Sequence, residues 1–208
     1  MEKSELIARQ SRQPSGWLGE IVARVMAFET ASANQIAVGE LDVKKGEAVL
    51  EVGCGHGRTL RGLAPKGLEF LAGVDGSDVM VRVARRRLRR WIDDGRVEIS
   101  LATSNALPYP NARFDAAFAV HVLYFWTDAV ADLREVRRVL RSGGRVLLCY
   151  RLRDAQTLAT LPPSVYTLRS VEETEEILRH AGFEAISSTA HPFGRGSQLV
   201  CTKASRSS

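Results

Sequence analysis

Residues 48–57 read Ala-Val-Leu-Glu-Val-Gly-Cys-Gly-His-Gly, an apolar run that stops on glycines at alternate positions. Gly53, Gly55 and Gly57 let the backbone take positive φ and come close to a ligand. A helix starting just behind them, around Arg58–Leu63, would add free N–H groups and a partial positive charge. The spacing is G-x-G-x-G, not the G-x-G-x-x-G of a dinucleotide fold, and Glu51 stands two residues before the first glycine. A carboxylate there suits a cationic ligand better than a pyrophosphate. The next apolar run, Phe70–Val74, ends on Asp75, where a strand-end carboxylate can accept both hydroxyls of one ribose. A third run, Phe114–Val120, ends on His121, with Tyr124, Phe125 and Trp126 just beyond. His121 is a candidate base or substrate contact, against the plainer reading of a structural histidine. Tyr124 is the best substrate contact of the three aromatics, the rest dividing between core and pocket wall. Arg151 or Arg153 could bind an acidic acceptor, and Tyr166 could line a lid. His56 and Cys54 read as loop-shaping residues, and His180 and His191 as surface ones.

The elements that must position these residues follow from periodicity. Apolar residues Leu18, Ile21, Val22, Val25 and Met26 recur at helical spacing. They predict an amphipathic helix from Ser15 to about Gly39, broken near Thr30–Asn34, with Asn34 near the site. After Lys44-Lys45-Gly46 come strand 48–52, the loop, helix 58–63 and strand 70–74. Ser77 caps a helix from Asp78 to Asp93. Strands 97–101 and 114–120 follow, then a helix opened by Thr127 or Asp128 that ends before Ser142-Gly143-Gly144, and strand 145–150. Residues 151–168 read as irregular and carry Pro162-Pro163. Ser170 and Glu173 form a capping box for the helix Val171–Ala181, which Gly182 stops. Two alternating segments, 183–189 and 197–202, close the chain and should pair antiparallel. Strands alternating with helices predict a doubly wound, mostly parallel sheet that binds ligand beyond the carboxyl ends of its strands.

Composition narrows the classes. The 208 residues are 45% hydrophobic and 25% charged, enough for one core without metals or disulfides. The three cysteines lack C-x-x-C spacing, which points to a reducing cytoplasm. The N-terminal stretch has no apolar signal region, and no run is long enough to span a bilayer. The net charge is +5. Much of it sits on two helices, at Arg82, Arg85, Arg86, Arg87, Arg89 and Arg90, and at Arg134, Arg137, Arg138 and Arg141. These read as solvated faces; a nucleic-acid stripe is disfavoured by the scarcity of aromatics for base stacking.

In order and spacing these motifs resemble the class I S-adenosyl-L-methionine (SAM) methyltransferases, over about residues 45–202. V-L-E-V-G-C-G-H-G is similar to the family's first motif, G-V-D-G-S-D-V-M to the second-strand motif, and S-N-A-L-P-Y to the adenine loop. F-D-A-A-F through H-V-L-Y resembles the fourth strand and its turn. L-R-E-V-R-R-V-L-R-S-G-G and A-G-F resemble the junctions into the fifth and sixth strands. The resemblance implies a Rossmann-like doubly wound α/β sheet of seven strands, mostly parallel with an antiparallel last strand, plus an N-terminal helix. It implies a helical extension over 1–44, with Trp17–Met26 over the cofactor edge, and a SAM domain over 45–204. It implies that Glu51, Gly53, Cys54, Gly55, Asp75, Gly76, Met80, Asn105, Ala106 and His121 hold SAM, with S-adenosyl-L-homocysteine as product. The chain departs from the family at Asn105, where an acid is usual, and at Gly76, where a large apolar residue is usual; Met80 could supply the missing packing.

The function expected is methyl transfer to a small-molecule acceptor, with His121 and Tyr124 as catalytic candidates, by a monomer or homodimer. The absence of an inserted domain and of a [DN]-P-P-[YFW] tetrapeptide after the fourth strand disfavours nucleic acid. The alternatives are an RNA or protein methyltransferase, a nicotinamide-dependent oxidoreductase, and a SAM-binding protein without catalysis.

Overall fold

The computed structural model describes residues 31–153, 157, 164–194 and 197–207. The apolar stripe at Leu18–Met26, the segment Trp17–Met26 and Pro162-Pro163 lie outside them. The helix α1 spans Ala31–Leu41; of the interruption expected near Thr30–Asn34, Thr30 lies outside the described residues. The small residues Ala33 and Ala37 of α1, with Leu41, are buried and pack against the sheet.

Seven strands form one sheet in the order β3-β2-β1-β4-β5-β7-β6. They are β1 (Ala48–Val52), β2 (Phe70–Asp75), β3 (Val97–Leu101), β4 (Phe114–Val120), β5 (Leu140–Arg151), β6 (Phe183–Phe193) and β7 (Ser197–Arg206). β1 to β5 pair parallel. β7 lies antiparallel between β5 and β6. The central strand β1 is buried along its whole length, as a strand covered on both faces must be. Its alternation splits the core. Ala48, Leu50 and Val52 face one cluster with α4 (Ala129–Val139) and α5 (Val171–His180). Val49 faces the other, with α1, α2 (Arg58–Leu63) and α3 (Asp78–Asp93).

The helix boundaries follow their caps. Ser77 Oγ accepts from Met80 N, Asp128 from Ala131 N, and Ser170 with Glu173 forms the predicted capping box. Gly182, at φ 87°, ends α5.

Three strands are longer than the sequence predicts. β5 begins at Leu140, directly after α4, and Ser142–Gly144 form an irregularity inside the strand. β6 runs to Phe193 through Pro192, which an edge strand tolerates because it needs donors on one side only. β7 continues to Arg206.

Candidate active site

The C-terminal ends of β1, β2, β4 and β5 converge on one edge of the sheet. There the glycine loop folds over β2: the N–H groups of Gly53 and Cys54 both donate to Val74 O, at 2.8 and 2.9 Å. Gly53 has φ 72°, and a Cβ on it would lie 2.3 Å from Val122 Cγ2. Only glycine lets the first loop pack against the turn after β4. The Cys54 side chain turns into the core beside Gly73, so whatever Cys54 offers a ligand comes from its backbone. Burial pushes its thiol up, which does not suit a nucleophile.

Asp75 ties the loop to the next element. Its Oδ2 accepts from Gly55 N at 2.8 Å and its Oδ1 from Ser77 N at 2.9 Å. Each oxygen keeps a lone pair, so the carboxylate can still receive two ribose hydroxyls. Burial raises its pKa, against the two N–H bonds. Glu51 is buried on the α2 face of β1, and its Oε2 has no hydrogen-bond partner. Burial drives its pKa well up, a bond from Thr59 opposes this, and the charge of Asp75 adds to it. An orphaned carboxylate oxygen beside a glycine loop fits a ligand that brings its own cation, as the ammonium and sulfonium of SAM would.

On the adenine side, Gly76 is exposed with open space where a side chain would stand, and Met80 is buried in the first turn of α3. Asn105 and Ala106 are exposed. The segment carrying them is moored to α4, through Ser104 Oγ to Asp132 and through Leu107 N to Glu135 Oε1 at 2.8 Å.

Opposite the loop stands His121. It has φ 58°, unusual for a side-chain-bearing residue, and its N–H donates to Cys149 O at 2.8 Å. Its Nδ1 lies 3.1 Å from the Tyr124 hydroxyl, which itself accepts from Arg151 N. The hydroxyl hydrogen is then free to point at Nδ1, which places the imidazole proton on Nε2. The ring stacks on Tyr124, with centroids 6.0 Å apart, and meets Phe193 at 5.8 Å. Tyr166 closes on Tyr124 and Phe125 at 5.9 and 5.2 Å. Burial, then the charge of Arg151, pushes the His121 pKa down to about 4; burial pushes Tyr124 up. At neutral pH both are uncharged.

The structure thus brings Glu51, the glycines, Asp75 and Met80 to one side and His121 and Tyr124 to the other. Tyr150 is not at the rim: its ring is core and its hydroxyl lies 3.0 Å from Thr202 Oγ1. Trp126 is buried likewise. Two residues escape a sequence reading. Phe193 reaches His121 only because β6 extends past its predicted end at Thr189 and pairs with the start of β7. Arg169 donates to the carbonyls of Leu123 and Trp126, at 2.7 and 3.1 Å, and so fixes the turn after β4. No local pattern marks either.

A family described as "Methyltransferase domain" matches residues 50–148. Over that stretch the chain carries a methyltransferase domain, in the fold of the class I SAM-dependent methyltransferases. It is 31% identical, over 70% of its length and 57% of the relative's, to 27-O-demethylrifamycin SV methyltransferase of Amycolatopsis mediterranei. It is also 31% identical, over 72% of its length and 56% of the relative's, to the O-methyltransferase cnsE of Penicillium expansum. It therefore spans a little over half the length of these curated relatives. Among solved structures it resembles phosphoethanolamine N-methyltransferase 2 of Haemonchus contortus in complex with SAM. There the TM-score is 0.71 and the identity 19%, over 85% of this chain and 53% of that one. The family takes its methyl group from SAM, and the orphaned Glu51 oxygen and the free lone pairs of Asp75 fit that cofactor. Among the described residues no helix is long and apolar enough to cross a membrane, and no cluster of His, Cys, Asp or Glu could hold a metal.

Proposed function

We propose that this protein transfers the methyl group of SAM to an oxygen of a small organic acceptor. The observation that carries the reading is the His121–Tyr124 pair, held at the end of β4 by an uncommon backbone conformation and facing the glycine loop across the strand ends. Two relatives whose names specify O-methylation support the choice of oxygen.

SAM supplies a methyl on sulfonium that is already activated, so the chain mainly has to align an acceptor in line with the C–S bond. In this reading Gly53 and Cys54 shape the bed for the methionyl part through their backbone, and Glu51 receives the ammonium. Asp75 receives the ribose hydroxyls, Asn105 and Ala106 border the adenine, and Met80 packs against it where Gly76 leaves room. Tyr124 orients His121, whose Nε2 faces the acceptor. In the resting tautomer Nε2 carries the proton and donates to the acceptor oxygen. To act as a base, Nε2 must be free and Nδ1–H must donate to Tyr124 oxygen, which has a second lone pair for it. Residues 45–204 would form the catalytic domain with 1–44 as a helical extension, working in the cytoplasm as a monomer or homodimer.

The test is calorimetric titration with SAM and NAD(H) in parallel, followed by a panel of hydroxylated acceptors read by S-adenosylhomocysteine release. Tight SAM binding with turnover on any hydroxyl supports the reading. Binding of NAD(H) alone, or turnover confined to amines or to RNA, overturns it.

A further inference from the structure

We propose that Arg151 anchors a carboxylate on the methyl acceptor, so that the acceptors are planar hydroxy acids and not neutral phenols or alcohols. The inference rests on the methyl-transfer reading above and names the substrate class of that same site.

The arginines near this edge are otherwise engaged. Arg153 pairs with Glu173 at 3.4 Å. Arg169 donates to the carbonyls of Leu123, Trp126 and Thr167. Arg151 is different: its Nε is buried with no hydrogen-bond partner, and no carboxylate among the described residues pairs with its guanidinium. A half-buried, unpaired cation costs free energy that an incoming anion would offset.

Its place in the sheet aims that charge at the acceptor. Arg151 ends β5, next to the strand that carries His121, and its N–H is held by the Tyr124 hydroxyl that bonds to His121. By strand alternation its side chain leaves the face shared with Cys149, away from that of Tyr150. Its cross-strand partner is Leu199, near the hairpin end whose Phe193 ring lies against His121. Beside it the rings of His121 and Phe193 lie 5.8 Å apart, and such flat faces favour a flat molecule. A planar guanidinium is also the side chain best matched to a carboxylate, through two parallel N–H bonds.

The anchor has a second effect. Arg151 is the charge that holds the His121 pKa down, after burial. A carboxylate against the guanidinium cancels that field and makes His121 a better proton acceptor once the acid is seated. Only the correct class of acceptor then readies the base.

The experiment uses the full chain loaded with S-adenosylhomocysteine. It is titrated with 4-hydroxybenzoate and 4-hydroxycinnamate and with their methyl esters, in wild type, Arg151→Met and Arg151→Lys. The expected result is an acid at least tenfold tighter than its ester in wild type. That preference should vanish in Arg151→Met and be partly kept in Arg151→Lys, with S-adenosylhomocysteine affinity within about twofold throughout. Acids that bind no better than esters, or not at all, overturn the anchor, as does a preference that survives in Arg151→Met. A wild-type chain that does not bind S-adenosylhomocysteine refutes the methyl-transfer reading itself, and this is read before any acceptor is added.

Discussion

At the scale of single residues, the two carboxylates of the site divide their work by environment. Asp75 is held by two backbone N–H groups and serves as both loop tie and ligand acceptor. Asp75→Ala should weaken SAM binding at least tenfold, since charge-assisted contacts contribute ~1.5–3 kcal/mol; calorimetry reads this directly. Glu51 carries a cost in the free protein because burial opposes its ionisation. Its folded pKa lies above the unfolded value, so it contributes stability at low pH that is lost as pH rises. Glu51→Gln should therefore raise the melting temperature of the ligand-free protein at pH 7, and not at pH 4, while weakening SAM binding. A melting temperature unchanged or lowered at pH 7 would remove this account. His121→Ala should cut turnover at least tenfold with SAM affinity nearly intact. If turnover is kept, the residue only shapes the turn.

Among the elements, the glycine loop and the turn after β4 fit only as a pair. Gly53→Ala places a methyl group into Val122 and strains φ at once, and should cost about 1–3 kcal/mol of unfolding free energy by urea titration. Adding Val122→Ala should restore the steric part but leave the ~1–2 kcal/mol charged to a left-handed backbone. Full rescue would mean that φ at Gly53 is not strained. The loop and its partners were legible in the sequence because strand, glycines and strand-end acid are local and ordered. The same holds for Ser77, Asp128 and Ser170 as caps, since a cap is a residue type at a fixed offset. The ends of β5, β6 and β7 were not legible. The extra residues of β5 carry two glycines, those of β6 a proline and those of β7 are mostly polar, and they are strand only because a neighbour in the sheet supplies the ladder. Phe193 was missed for that reason. Arg151 was named in the sequence but stood level with Arg153, until the ion pair to Glu173 separated them.

For the molecule as a whole, the excess of arginine is largely internal fastening. On α3, Arg85 donates to Ile99 O and Arg87 to His56 O, while Arg82 and Arg89 pair with Asp78 and Asp93 along the helix. On α4, Arg138 reaches Glu135, Tyr109 O, Leu107 O and Asn111, and Arg137 reaches Gly182 O. Arginines already committed to carbonyls and carboxylates release few counterions from a nucleic acid. Binding to duplex RNA should therefore show a log–log salt slope shallower than about −2. A slope near −6 would restore the nucleic-acid reading.

The order of the strands also bears on how the chain is made. β7 follows β6 in the chain, yet it lies between β5 and β6. A nascent chain on the ribosome can assemble β1 to β5 early, but β5 then offers bare backbone to any passing strand until residue 206 has emerged. The half-built sheet is the vulnerable species, and holding its open edge is the service a chaperone would render this protein.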